Sequence, residues 1–308
     1  MSIDSLTIIN IQGIDTDYKQ DDIDNRFTLM ERVVAVHKPT ILLLDDPYDG
    51  DLFKGSLFQK YETVESDVNK NIVMLYNANR VRATKQRDLR PETQYLNFDN
   101  IVIPNFEVMS PQPMQTVLNR FACVTWTGSN TCEEENKRKS YMDELISLSQ
   151  NIALIRNLPV IMGGDFKFPI SELKKLVNSR NKSVFSGMRE NTQPMFEQLG
   201  IGLASQVDYQ LGRPKRLLTM KVHEIQQYNG TIPRNDCFVA SQELRLRDPN
   251  FISIDELWST SIYLHGEKEC KGSEPSFSQT IKNGHCERPI PTKADIYIPQ
   301  RPPKHHGG

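Results

Sequence analysis

Residues 158–169, LPVIMGGDFKFP, form the stretch of sequence from which the fold can be argued. Leu158 to Met162 make an apolar run that predicts a buried strand. The glycines at 163 and 164 let the backbone turn sharply, so the carboxylate of Asp165 would be lifted out of the strand's end. Lys167 is unexpected there, because an ammonium group beside a carboxylate opposes the binding of a divalent metal ion.

The composition favours one large α/β domain, since 308 residues can bury a substantial core. The 37 basic and 39 acidic side chains nearly balance, so the net charge indicates neither a nucleic-acid nor a membrane partner. The sequence shows no signal-peptide pattern and no apolar run long enough to span a bilayer. We therefore expect an intracellular protein, cytoplasmic or nuclear, with no membrane partner. Its five cysteines lack tight spacing and are expected to be reduced thiols.

Short aliphatic runs between turn residues predict the strands, and apolar residues at helical spacing predict three helices. The predicted strands are 6–11, 39–44, 72–76, 101–103, 121–126, 158–162, 236–240 and 261–264, and the predicted helices are 26–37, 134–156 and 172–178. This alternation indicates a layered α/β or α+β fold in which sheets pack inside helices. After residue 265 the composition is rich in Lys, Glu, Ser, Gly and Pro, which does not favour a core. We therefore divide the chain into a domain at 1–265 and a partly disordered tail at 266–308, part of which could dock on the domain.

Polar residues lie at the ends of several predicted strands. They are Asn10, Gln12, Asp46, Trp126, Asp165 and Asp236. Carboxylate and amide oxygens gathered at one sheet edge are the ligands that Mg²⁺ prefers in proteins. For any one of these residues, the simpler alternative is a solvated strand end or a turn former. Their order along the chain is what favours a shared site.

That order resembles the endonuclease/exonuclease/phosphatase family, which has the DNase I fold, over residues 6–264. The most specific match is PVIMGGDFKFP against the family's P-V-I-L-G-G-D-F-N, which places Asp165 at the catalytic aspartate. INIQG resembles the first-strand motif W-N-x-N/D-G, with Asn10 and Gln12 in its polar positions. PTILLLDD resembles P-D-I-L-C-L-Q-E and puts Asp46 where the family has a metal-binding glutamate.

Two later segments extend the resemblance. FACVTWTGSN is similar to the strand that ends in a catalytic Tyr or His, with Trp126 or a near neighbour at that position. NDCFVAS resembles I-D-Y-I-F-V-S, so Asp236 matches the acid that orients the catalytic histidine. The resemblance, nearest to apurinic and retrotransposon-type endonuclease domains, implies a four-layered α/β sandwich in which two mixed β-sheets pack face to face between helices. It also implies metal-dependent phosphodiester hydrolysis.

The sequence departs from the family's pattern at several of these positions. Lys167 replaces the asparagine of the Asp-x-Asn pair, Asp46 replaces a glutamate and Gln12 replaces Asn or Asp. The family's terminal S-D-H motif is also missing, because LWSTSIYLHG, where we expect it, offers Ser259 and Thr260. Loss of a positioned general acid or base typically lowers a rate by about 10²–10⁴.

The leading hypothesis is therefore a pseudo-nuclease that binds a protein, or a nucleic acid as the other candidate partner, and needs no cofactor. The ammonium of Lys167 would neutralise the acids or contact a phosphate, although a solvent-facing lysine is the simpler alternative. The alternative hypothesis is an active Mg²⁺-dependent phosphodiesterase that recruits His265 or His223. A third is a structural subunit of an oligomer.

A local basic segment adds further candidates for substrate binding. Arg213, Lys215 and Arg216 follow one another closely, and such residues can contact a phosphate backbone. Runs of this kind are more often ordinary solvated surface.

Overall fold

The computed structural model describes residues 5–11, 20–45, 56–65, 72–84, 96, 101–110, 116–126, 135–166, 168–198, 215–225, 236–259, 262–264, 267–269, 281–282, 285–286 and 291–298. In chain order the strands and helices are β1 (Leu6–Ile11), α1 (Gln20–His37), β2 (Ile41–Asp45), β3 (Tyr61–Glu65), β4 (Ile72–Asn77), β5 (Val81–Thr84), β6 (Ile101–Val102), β7 (Asn105–Met109), β8 (Val117–Trp126), α2 (Glu135–Arg156), β9 (Val160–Asp165), α3 (Ile170–Gln198), β10 (Met220–Glu224), β11 (Asp236–Ser241), β12 (Arg245–Phe251), α4 (Ile254–Ser259), β13 (Ile262–Leu264), β14 (Glu267–Glu269), β15 (Ile281–Lys282), β16 (His285–Cys286) and β17 (Thr292–Tyr297).

Two mixed sheets form the centre of the protein. The first sheet has six strands in the order β12-β17-β1-β2-β4-β3, in which only the β1–β2 pair is parallel. The second has the order β10-β11-β9-β8-β7-β5, with β6 paired to the end of β8, and only its β8–β9 pair is parallel. The two short hairpins β13–β14 and β15–β16 lie outside both sheets.

The two sheets pack against each other because alternate residues of each strand form a shared apolar layer. Ile8 and Leu43 of the first sheet belong to the same buried cluster as Phe121, Ile161 and Phe238 of the second. All five side chains are fully buried. The layer between the sheets is therefore a continuous core.

Helices cover the outer face of each sheet. Leu29 and Val33 of α1 pack with Ile9 and Leu42 on the outer face of the first sheet. Apolar residues of α2 and α3 pack on the outer face of β8–β11 in the second sheet. The predicted four-layered α/β sandwich is thus confirmed. Within the described residues, none of the helices is both long and apolar enough to cross a lipid bilayer.

The first sheet continues into the segment that we predicted to be a tail. β17 lies between β1 and β12 and pairs with both of them. Its Ala294 and Ile296 are fully buried between the sheets. The predicted boundary at residue 265 is therefore not where the folded sheet ends, since the sheet reaches Tyr297. The parts of 266–308 beyond the ranges given above lie outside the described residues, so the predicted disorder stays a prediction.

Candidate functional site

The two sheets bring three of the predicted site residues to one edge of the sandwich. Asn10 lies near the end of β1, and Asp165 ends β9. Asp236 begins β11 and is the direct register partner of Asp165, because β9 and β11 are antiparallel. We call this region the edge site.

Gly164 fixes how the two sheets meet at the edge site. A Cβ atom at Gly164 would lie 3.8 Å from Oδ1 of Asn10 and 3.9 Å from Cη2 of Trp126. The amide of the first sheet and the indole of the second therefore both lie next to the same glycine. Its φ of 151° is one that residues with a side chain rarely adopt, which explains the second glycine of the GGDF sequence.

Asn10 and Asp236 are polar but buried, with 2% of each residue exposed. Cross-strand partners have Cβ atoms about 5 Å apart, so Asp165 and Asp236 would carry like charges at close range. Two adjacent carboxylates are destabilising unless a proton, a cation or hydrogen-bond donors compensate them. The side chain of Asp165 lies outside the described residues.

Trp126 is packed into the protein rather than presented to solvent. The residue is 5% exposed, and its ring centroid lies 4.8 Å from that of the buried Phe166. It belongs to the apolar cluster under α2 and α3. An indole N–H donates hydrogen bonds but does not exchange protons near neutral pH. This position therefore supplies apolar surface, not acid–base chemistry.

Sequence reasoning missed Thr292, the first residue of β17. It is the register partner of Asn10 and is 1% exposed. Its hydroxyl oxygen has no hydrogen-bond partner among the described residues. No sequence pattern pointed to this hydroxyl, because Thr292 lies in the segment predicted to be a tail.

The remaining predicted site residues are not brought to the edge site by the described part of the chain. Lys215 and Arg216 lie beside the turn after β11, where the Arg216 carbonyl accepts from the Glu243 N–H at 3.1 Å. That turn is at the opposite end of β11 from Asp236. The other four, Gln12, Asp46, Lys167 and Arg213, lie outside the described residues.

The histidines that we considered as replacement bases can be compared with the site. His223 lies on β10, opposite Phe238 and therefore one diagonal step from Asp236. Burial, together with the charge of Lys221, lowers the pKa of His223 to about 4. A base with so low a pKa is poorly matched to catalysis at neutral pH. His265 lies outside the described residues.

The structure also changes where a terminal S-D-H motif would have to be. We expected it before the strand at 261–264, but that strand pairs only with β14 in a separate hairpin. The last strand of the first sheet is β17, and the sequence before it, ERPIP at 287–291, contains no histidine. The motif is therefore absent from this position too.

The described side chains of the edge site offer few oxygen ligands for Mg²⁺. Its described side chains provide one amide oxygen from Asn10 and one carboxylate from Asp236, which is fewer protein oxygens than the predicted set. Among the residues whose side chains are described, no three His, Cys, Asp or Glu side chains come together. These groups alone do not make a magnesium site.

Comparison with solved structures is decisive for the fold. An endonuclease/exonuclease/phosphatase family protein from Bacteroides thetaiotaomicron matches with a TM-score of 0.52 and 10% identity, covering 97% of this chain and 100% of that one. The chain has the endonuclease/exonuclease/phosphatase fold. A functionally unknown conserved protein from Enterococcus faecalis V583 has a TM-score of 0.52 and 12% identity, covering 96% and 100% of the two chains.

A third match has this fold and a named activity. It is a mannosyl-6-phosphatase from Bacteroides thetaiotaomicron VPI-5482, with a TM-score of 0.51 and 10% identity, covering 95% of this chain and 99% of that one. No protein-family model and no curated relative matches the sequence. At such low identities the endonuclease/exonuclease/phosphatase fold is shared, and the activity has to be argued from the site.

Proposed function

We propose that this protein is a pseudo-nuclease, which keeps the fold and edge site of a phosphodiester-cleaving ancestor but binds its partner without hydrolysing it. The partner is a nucleic acid or another protein. Asn10, Asp165 and Asp236 would line the site with Gln12 and Lys167, and Asp46 would no longer hold a metal ion. These roles are carried over from the resemblance of the sequence motifs.

The observation that carries the proposal is the environment of Trp126. Where the resemblance expects a tyrosine or histidine, an indole packs on Phe166 and leaves no titratable group. His223, one diagonal step from Asp236, is a poor replacement because its pKa of about 4 makes it a weak base. The substitution of Lys167 for asparagine adds a positive charge next to Asp165, which would oppose a divalent ion.

One observation favours the alternative, an active Mg²⁺-dependent phosphodiesterase. Asp165 and Asp236 are direct cross-strand partners, and a divalent cation is one way to compensate two adjacent carboxylates. The alternative requires a proton-transfer group from outside the described residues.

A nicking assay on supercoiled plasmid separates the two hypotheses. Wild type, Asp165→Ala and the control Asp295→Asn would be incubated with Mg²⁺, with Mg²⁺ binding followed by calorimetry. The control removes a carboxylate charge from β17, where Asp295 accepts a 2.7 Å hydrogen bond from the Thr7 hydroxyl. We expect no nicking by any of the three proteins. Nicking by wild type and by Asp295→Asn that disappears in Asp165→Ala would overturn the proposal.

A reconstruction tests the cause of the loss. Because both a phosphate-positioning amide and a proton-transfer group are missing, Lys167→Asn alone should remain inactive. The double variant Lys167→Asn with Trp126→His supplies an amide at position 167 and an imidazole at position 126. Activity in the single variant would show that the lysine alone blocks an otherwise complete site.

A further inference from the structure

The outer face of β7 carries two buried polar residues outside the helix layer. Asn105 is 3% exposed and Glu107 is 6% exposed, whereas Phe106 and Val108 point into the core between the sheets. Among the described residues, the apolar cluster under α2 and α3 includes none from β5 or β7. Some other group must therefore cover Asn105 and Glu107.

Two arginines cover Glu107 from the neighbouring strands. The register places Arg82 of β5 and Arg120 of β8 directly opposite it on either side. Nε of Arg120 donates to Oε1 at 2.9 Å, and Nε of Arg82 donates to Oε2 at 3.1 Å. The hydrogen bond from Arg82, with the charge of Arg120, lowers the pKa of Glu107 although burial opposes this. The carboxylate therefore stays ionised and holds both guanidinium groups in place.

A third arginine is held by Asn105, which precedes Glu107 by two residues on β7. Nη1 of Arg156, from the last turn of α2, donates to Oδ1 of Asn105 at 2.8 Å. Asn105 and Glu107 are about 7 Å apart along the strand and face the same way. We call the arginines at 82, 120 and 156 the arginine row.

The arginine row has an excess of positive charge that points to solvent. The guanidinium groups of Arg82 and Arg120 share the one carboxylate of Glu107, and Arg156 donates to the neutral amide of Asn105. The side chains of Arg82 and Arg120 are 61% and 53% exposed, so N–H groups not used by Glu107 are available to a ligand. Because Glu107 and Asn105 already hold the guanidinium groups in place, binding a ligand would cost these side chains little further conformational entropy.

We propose that the arginine row binds the phosphate backbone of a nucleic acid. Guanidinium forks match phosphate oxygens in geometry, and cations fixed on adjacent strands suit a ligand with regularly repeated charges. Arg120 precedes Trp126 by six residues, about 20 Å along β8, so the surface is separate from the edge site.

This inference names the partner of the proposed binding function and rests on it. The probe is a fluorescein-labelled single-stranded DNA of mixed sequence, about 20 nucleotides long, followed by fluorescence anisotropy as salt is raised from about 50 mM to about 200 mM. The full chain is used. The test variant is Arg82→Gln/Glu107→Gln/Arg120→Gln, because removing the arginines alone would leave the Glu107 carboxylate buried and unpaired.

The control variant is Arg245→Gln on β12, at the edge of the other sheet, which makes the same change of one unit in net charge. We expect the test variant to bind about tenfold or more weakly than wild type, with a smaller dependence on salt, and the control to bind like wild type. Equal binding by wild type and test variant overturns the inference, as does absence of wild-type binding at low salt.

Two further results keep this inference distinct from the proposed function. Poly-glutamate that competes as well as the oligonucleotide would assign the surface to an acidic protein and overturn the nucleic-acid assignment. Plasmid nicking by wild type would overturn the pseudo-nuclease proposal while leaving the arginine row as a binding surface. Loss of binding in the test variant without any nicking supports both.

Discussion

Gly163 is the position at which the packing of β9 against the neighbouring strand β11 can be tested by one methyl group. A Cβ atom there would lie 2.5 Å from Cε1 and 2.6 Å from Cδ1 of Phe238, and 3.5 Å from Cδ1 of Leu43 in the opposite sheet. Carbon atoms in contact prefer about 3.5–4.0 Å, so an overlap of roughly 1 Å must be relieved. Phe238 and Leu43 are both fully buried, which leaves the ring little room to move.

The expected cost of Gly163→Ala follows from this overlap. Adding a methylene-sized group to a well-packed core typically costs about 1–3 kcal/mol, and we expect the upper half of that range because the ring is held on both sides. Gly164→Ala should also destabilise, by about 1–3 kcal/mol, but for a different reason. Its Cβ would have no contact closer than 3.8 Å, whereas its φ of 151° is strained for alanine.

Equilibrium urea unfolding of these variants, each with and without Phe238→Leu, separates packing from backbone strain. The smaller leucine should relieve the overlap, so Gly163→Ala and Phe238→Leu should show a coupling energy of about 1 kcal/mol or more. Gly164→Ala and Phe238→Leu should be additive within about 0.5 kcal/mol. If Gly163→Ala is neutral, or additive with Phe238→Leu, then the close approach of the Phe238 ring to this glycine is wrong.

Two further predictions concern the edge of the sandwich. Thr292→Val replaces a buried hydroxyl that has no partner among the described residues by a methyl group. The free energy of unfolding should therefore stay the same or rise by about 1 kcal/mol. A decrease above about 1 kcal/mol in urea unfolding would show that the hydroxyl is hydrogen-bonded. The pKa of His223 in the folded protein, about 4, is below the unfolded value, so its contribution to stability is present above pH 6.5 and is lost as the pH falls towards 4. His223→Gln should weaken this pH dependence in thermal unfolding, and an unchanged pH profile would contradict the depressed pKa.

The parts of the fold that the sequence predicts well are those whose pattern is local. The LPVIM run predicts β9 because both of its faces are covered, and the apolar stripe of 134–156 matches α2 almost to the residue. The sharp turn predicted at Gly163 and Gly164 is wrong, because β9 runs through both glycines to Asp165, which pairs in register with Asp236. The helix predicted at 172–178 begins at Ile170 and extends to Gln198, since polar residues obscure its later apolar positions.

Strands that form through pairing with distant parts of the chain could not be predicted from their local sequence pattern. β17, TKADIY, has Ala294 and Ile296 as its apolar core positions, and prolines at 289, 291 and 299 flank it in the sequence, which does not favour a strand. It is a strand because the backbones of β1 and β12 pair with it on both sides. A side-chain hydrogen bond from Thr7 to Asp295, 288 positions apart, adds to the pairing with β1. By contrast, Ile262–Leu264 has a stronger local pattern but pairs only in a hairpin.

The position of β17 bears on the function as well as the fold. Because β17 places Thr292 beside Asn10, the first and last strands of the first sheet both contribute to the edge site. Residues 287–291, which precede β17 in the sequence, include Glu287 and Arg288 but no histidine. An arginine stays charged at any physiological pH and cannot act as a general base. In the proposed pseudo-nuclease, a missing histidine before β17 would act together with Lys167, so we expect that reversing the lysine alone does not restore cleavage.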